Sequence, residues 1–178
     1  MSTPGGWPVT LARAEADGPA LTATSRTSIL PATAKFTPGP SGFWEVGKVL
    51  LATLVGKVTT GTSGTLTFSL GVGSVDAWAS QALTMVASQT NQTFELQVRF
   101  TCRAVGAGGS ATANGVGVGK LVAGAALSSP PVMLPATSPA VGTSFDPAAQ
   151  GPIDLFGLWS AASTNSLTGI EYTLEALN

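Results

Sequence analysis

Residues 93–105 read TFELQVRFTCRAV and carry the clearest structural pattern in the chain. Apolar and polar side chains alternate without exception, with Phe94, Leu96, Val98, Phe100, Cys102 and Ala104 on one side and Glu95, Gln97, Arg99, Thr101 and Arg103 on the other. An α-helix would spread these apolar residues around its circumference, whereas a strand collects them on one face. The stretch therefore predicts a β-strand with one buried face and one exposed face.

Weaker alternation recurs on both sides of this stretch, between turns rich in Gly and Pro. The further strands that we expect lie within residues 20–36, 48–60, 65–72, 81–87, 116–122, 145–159 and 165–177. No segment has the periodicity of an amphipathic helix. The pattern predicts an all-β fold, a jelly-roll-like β-sandwich of eight or nine antiparallel strands. Residues 48–60 and 65–72, joined by a Gly-containing turn, are expected to form a hairpin.

The N-terminal 18 residues differ from the rest of the chain. They are rich in Pro and Gly and include Glu15 and Asp17, so we expect residues 1–18 to form an extended arm or loop and residues 19–178 to form the sandwich domain. The start of the chain has neither the basic nor the apolar region of a signal peptide. The apolar run at residues 49–56 is too short to span a bilayer. We therefore expect synthesis in a cytoplasm and no membrane partner.

Composition limits the chemistry that the chain can perform. There is no histidine, which removes the commonest general base and metal ligand. The eight basic residues are scattered, so binding to nucleic acid is not expected. We expect no catalytic, cofactor-binding or metal-binding residue, and no small-molecule ligand. Cys102, the single cysteine, is predicted to be a small buried apolar residue.

Two alternatives that involve a ligand remain open. Glu95 could lie across a sheet from Glu171 or Glu175, as the paired carboxylates of a glycosidase do. Trp7, Trp44 and Trp78 could contact a partner or stack on a glycan, or they could anchor the core, because tryptophan serves in both roles.

Charged residues make up only 10% of the chain, against about 25% in typical soluble domains. Such a surface suits a subunit that is docked against neighbours. Four segments, residues 41–48, 61–73, 94–106 and 170–177, resemble small virion proteins of tailed bacteriophages. The resemblance implies a non-enzymatic capsid decoration protein, commonly a homotrimer, bound to the major capsid protein in the virion. It also allows a tail or fibre component, and a carbohydrate-binding module is the remaining alternative.

Overall fold

The computed structural model describes residues 7–39, 42–106, 112–148, 151–161 and 164–177. These residues form eleven strands, one three-residue 3-10 turn (Ala32–Ala34) and no α-helix. The strands are β1 (Val9–Arg13), β2 (Thr27–Ser28), β3 (Val49–Thr60), β4 (Gly64–Val72), β5 (Val75–Ala79), β6 (Leu83–Met85), β7 (Gln89–Val105), β8 (Ala113–Ala123), β9 (Val132–Leu134), β10 (Ile153–Trp159) and β11 (Ser166–Ala176).

The strands form two antiparallel sheets that enclose the core. Sheet A has the order β1-β11-β3-β7-β8-β9, and sheet B has the order β2-β10-β4-β5 with β6 also paired to β4. The all-β sandwich predicted from the sequence is confirmed. There are eleven strands instead of eight or nine because the sequence does not reveal β1, β5 and β9, which at three to five residues are too short to display a period. The jelly-roll connection pattern stays a prediction.

The strand predicted from residues 93–105 is the longest in the molecule. β7 pairs with β3 on one side and with β8 on the other, and Phe94, Leu96, Val98 and Phe100 are at most 2% exposed. The alternation ends at a β-bulge between Cys102 and Ala104, where Arg103 is the extra residue. Ala104 is consequently exposed, although its parity predicted burial. Cys102 is fully buried, as predicted.

The first 18 residues depart from the expected arm. Val9–Arg13 forms β1 and pairs with β11 at the margin of sheet A. The chain then follows β11 further, since the Gly18 amide donates to the Gly169 carbonyl and Leu21 bridges Leu167. Residues 1–6 lie outside the described residues. Because Val9–Arg13 is a paired strand, any extended arm ends before β1. β1 pairs with backbone groups along the outer edge of β11 that would otherwise be open.

The predicted hairpin between residues 48–60 and 65–72 is wrong. β3 lies in the middle of sheet A, between β11 and β7, while β4 belongs to sheet B. The turn between them changes sheets, and a buried side chain from another part of the chain holds it: Asn165 Oδ1 accepts the amides of Gly61 at 2.9 Å and Thr62 at 3.3 Å. Strand alternation alone does not distinguish a hairpin from a turn between sheets.

Three inward-facing glycines on β8 allow the sheets to approach closely. Gly115, Gly117 and Gly119 alternate with valines, and a Cβ atom at Gly117 would collide with the indole of Trp78 on β5 of the opposite sheet. At Gly115 the space is taken by the Phe100 ring. The strand predicted at residues 116–122 therefore begins earlier, at Ala113. The glycines from 115 onward lie inside it and provide room for aromatic rings.

The substitution Gly117→Ala tests this packing. The added methyl group has to displace the Trp78 ring, and overpacking of this kind typically costs about 1–3 kcal/mol. We expect a loss of that size in the free energy of unfolding measured with urea. Gly39→Ala is the control, since nothing lies within 4 Å of a Cβ atom built there. Equal effects of the two substitutions would contradict the role given to Gly117.

Candidate functional site

Trp44 is a core residue, not an open contact. It is 7% exposed and stands at the centre of an aromatic cluster, with ring centroids 4.8 Å from Phe145, 5.1 Å from Phe43 and 6.2 Å from Phe100. The first two contacts are edge-on or steeply inclined, which is the favoured geometry for aromatic pairs. The expectation that Trp44 contacts a partner or a glycan is corrected, because neither ring face is available.

Trp78 is likewise enclosed, at 4% exposure. Its Cδ1 and Cζ2 atoms, which flank the Nε1–Cε2 bond, lie nearest to Gly117 and Gly119, so the N–H edge of the ring faces β8. Nε1 has no hydrogen-bond partner among the described residues. Trp78 therefore joins the two sheets, and the expectation that it stacks on a glycan is corrected for the same reason as for Trp44.

Trp7 is the tryptophan that can contact another molecule. Trp7 is 88% exposed, and the nearby Val9 is 57% exposed. Trp7 precedes β1 and Val9 begins it, and β1 is the strand at one margin of sheet A. An indole with so little cover from the described residues is an apolar contact point.

The outward face of sheet A carries rows of apolar side chains. β3 contributes Val49, Leu51, Thr53 and Val55, all half-buried, and β8 contributes Val116 and Val118, half-buried, with Val122 exposed. β3 is central in sheet A, with apolar residues on both of its faces. Among the described strands, none is paired or packed as a further layer over its outward face. Leu51 lies between Arg99 and Glu175 in the register.

A groove crosses this surface over β7 and β8. Its lining includes Arg99, Thr101, Arg103, Val116, Pro139 and Val141, and it encloses about 500 Å³. The Pro139–Val141 side is formed by the chain that follows β9, which is held to β8 by a bridge between Val116 and Val141. The bulge at Arg103 determines where that guanidinium leaves the strand. We call this feature the arginine groove.

The carboxylates considered for glycoside hydrolysis share the outward face of sheet A but not a cleft. Glu95 and Glu171 both pair with Val55, one from each side, so two strand spacings or about 10 Å separate their Cα atoms. Glu175 lies in a different row, beside Leu51. Both Glu95 and Glu171 are exposed. A glycosidase depends on burial to keep one carboxyl protonated, and this surface does not provide it.

Sheet B carries a polar cluster that sequence reasoning missed. Asp154 is 2% exposed, and its carboxylate accepts from Lys35 Nζ at 2.8 Å and from Ser28 Oγ at 3.0 Å. In the same row of the sheet, on the other side of Gly71, Asp76 accepts from Arg26 Nε at 2.6 Å. The pairs join residues 50 to more than 100 positions apart, so no local pattern reveals them. Because each carboxylate already has a basic partner, we interpret the cluster as structural.

Replacing Lys35 tests that interpretation. Lys35→Met leaves the buried Asp154 carboxylate without its counter-charge, and breaking a buried ion pair in this way costs about 3 kcal/mol or more. We expect a loss of that size in the free energy of unfolding at neutral pH. The control Arg13→Met breaks an exposed pair with Glu15, at 3.8 Å and with side chains 73% and 71% exposed, and should cost less than about 1 kcal/mol. Losses of the same size would show that Asp154 does not need Lys35.

Two buried groups are kept in their neutral forms. Burial raises the pKa of the Cys102 thiol above its ordinary value, so the residue is a poor nucleophile. Burial also raises the pKa of the Tyr172 hydroxyl far above its ordinary value, with a further contribution from the Asp154 carboxylate. The Tyr172 hydroxyl has no hydrogen-bond partner among the residues described. Neither group is set up for catalysis.

The raised pKa of Tyr172 predicts a loss of stability in alkali. The unfolded chain releases the tyrosine proton above about pH 10, whereas the folded chain keeps it. The stabilisation that comes from the raised pKa of Tyr172 is therefore fully present below about pH 10. Above that pH, the free energy of unfolding falls by about 1.4 kcal/mol per pH unit. Urea unfolding from about pH 9 to about pH 11 measures this slope. In the variant Tyr172→Phe, this slope should be smaller by about 1.4 kcal/mol per pH unit, which corresponds to one proton. An unchanged slope would contradict the assignment.

The described part of the chain holds no helix long and apolar enough to cross a membrane. In the same residues, no three side chains of His, Cys, Asp or Glu come together in a group that could hold a metal ion. No protein-family model, no curated protein and no solved structure matches this chain. The resemblance to phage virion proteins therefore stays a prediction.

Proposed function

We propose that the chain is a structural protein of a bacteriophage virion, a capsid decoration protein that binds the major capsid protein and stabilises the shell. In this proposal the subunit is a jelly-roll-like sandwich that associates as a homotrimer. It acts through surface contacts and performs no catalysis. Its effect on the particle comes from contacts that span several shell subunits.

The outward face of sheet A is the observation that carries this proposal. A sandwich that remains alone in water usually places polar side chains on its outer faces. Here β3 and β8 present a row of Val and Leu side chains, and the whole chain has only 17 charged residues among 178. Few charges and small side chains leave little electrostatic protection against association. A surface of this kind suits a subunit that works in permanent contact with others.

Trp7 supplies a second contact point, at the margin of the same sheet. Interface residues that dominate binding energy are enriched in tryptophan, because one indole buries a large area at low entropic cost. Trp7 is 88% exposed, so most of its surface is available. We propose that Trp7 attaches the subunit to the shell.

A tail or fibre component would use the same surfaces and is the second structural candidate. Imaging particles with a label fused to this chain distinguishes head from tail. A carbohydrate-binding module is less well supported, since Trp44 and Trp78 lie in the core and leave Trp7 alone for stacking.

Trp7→Ala tests attachment. The variant should keep the unfolding free energy within about 0.5 kcal/mol, because the indole contributes little to the core. Its affinity for purified shells should fall at least about tenfold, which corresponds to about 1.4 kcal/mol. Cosedimentation with shells measures the affinity.

Val46→Ala is the matched control, because it truncates a 67% exposed apolar side chain away from β1. It should bind shells like the unchanged chain. Full attachment of the Trp7→Ala variant would refute the proposed role of Trp7, and failure of the unchanged chain to bind any shell would refute the decoration role.

A further inference from the structure

We infer that the arginine groove receives the acidic side of sheet A from a second copy of this chain, so that copies associate head to tail. The acidic side consists of Glu15 and Asp17, just after β1. The inference deepens the self-association in the proposed function and rests on it. It specifies which surfaces meet and what chemistry joins them.

The two arginines of the groove have no acidic partner within the described chain. None of the ion pairs among the described residues involves Arg99 or Arg103. The register explains this for Arg99, whose neighbours on β3 and β8 are Leu51 and Val118. Arg103, the extra residue of the bulge, is exposed. Two guanidinium groups therefore project from a floor that contains Val116 and Val118.

Arginine is well suited to this position. Its guanidinium is planar, permanently charged and weakly hydrated, and it binds a carboxylate through two parallel hydrogen bonds. A groove that combines such groups with valine and proline walls fits a segment that has both carboxylates and small apolar side chains. Residues 14–17 read AEAD and have this composition.

The acidic side is available for such a contact. Glu15 and Asp17 are exposed, and the ion pair that Glu15 makes with Arg13 is long, at 3.8 Å, with both side chains mostly exposed. Both acidic residues follow β1, the strand at one margin of sheet A, whereas the groove lies over β7 and β8.

Glu15 and Asp17 cannot pair with these arginines within one molecule. Both arginines lie on β7, which is three strands from β1 in sheet A, so about 14 Å separates the two strands. The acidic side therefore does not reach the groove of its own chain. When one copy's acidic side enters the next copy's groove, each copy still has one free surface of each kind. Contacts of this head-to-tail type close into a ring when the rotation between copies permits it.

Charge reversal on both surfaces tests the inference. The variant Arg99→Glu with Arg103→Glu should dissociate, with an association constant reduced at least about tenfold, as measured by light scattering over a concentration series. The variant Glu15→Arg with Asp17→Arg should dissociate similarly. A mixture of these two variants should associate again, because each supplies one surface that suits the other. Association of the unchanged chain should weaken as salt is added.

The control is Lys57→Glu with Lys120→Glu, two exposed residues of the same sheet that lie outside the groove lining. It changes the net charge by the same amount and should leave association unchanged. A monomeric unchanged chain, dissociation of the control, or a mixture that fails to associate would each overturn the inference. A monomer that binds shells overturns this inference alone, and an assembled ring that binds no shell overturns the decoration role alone.

Discussion

Burial of one face of β7 is the constraint on which the rest of the structure depends. This strand supplies an unbroken row of core side chains from Phe94 to Phe100, and it is hydrogen-bonded to a long strand on each side. Such a row must be covered by another layer, and sheet B provides it: Phe68 of β4 lies 6.3 Å from Phe94 between ring centroids. The close approach of β5 at the other end, with Trp78 over the glycines of β8, completes the enclosure.

A sandwich closed in this way has few positions at which polar side chains can be buried. The turns between the sheets are stabilised by buried or half-buried polar side chains, as Asn165 does for the turn after β3. Two ion pairs lie on sheet B, where Asp154 and Asp76 are in one row on either side of Gly71. The outward face of sheet A instead combines rows of valine with the arginines of the groove. In the proposed function, sheet A is the sheet that makes contact with other subunits.

The tryptophans and the arginine groove differ in how far they could be predicted from the sequence. The sequence identified the tryptophans as residues that either anchor a core or bind a partner. Trp44 and Trp78 are enclosed, mostly by rings or glycines that are distant in the chain, whereas Trp7 precedes β1 and is exposed. The residues next to each tryptophan in the sequence do not indicate whether that tryptophan is buried or exposed. The arginine groove was likewise not predictable, since it combines β7, β8 and the chain after β9.

The sequence by itself determined the class of fold, the position of the long strands and the burial of Cys102, because alternation with a period of two is local and direct. It also established the low proportion of charged residues, 10% of the chain. Only the tertiary structure decided that β3 and β4 lie in different sheets, that β1 joins β11, and that Arg103 leaves its strand at a bulge. Each of these depends on pairings between distant residues, whose hydrogen bonds and buried areas exist only once the chain has folded.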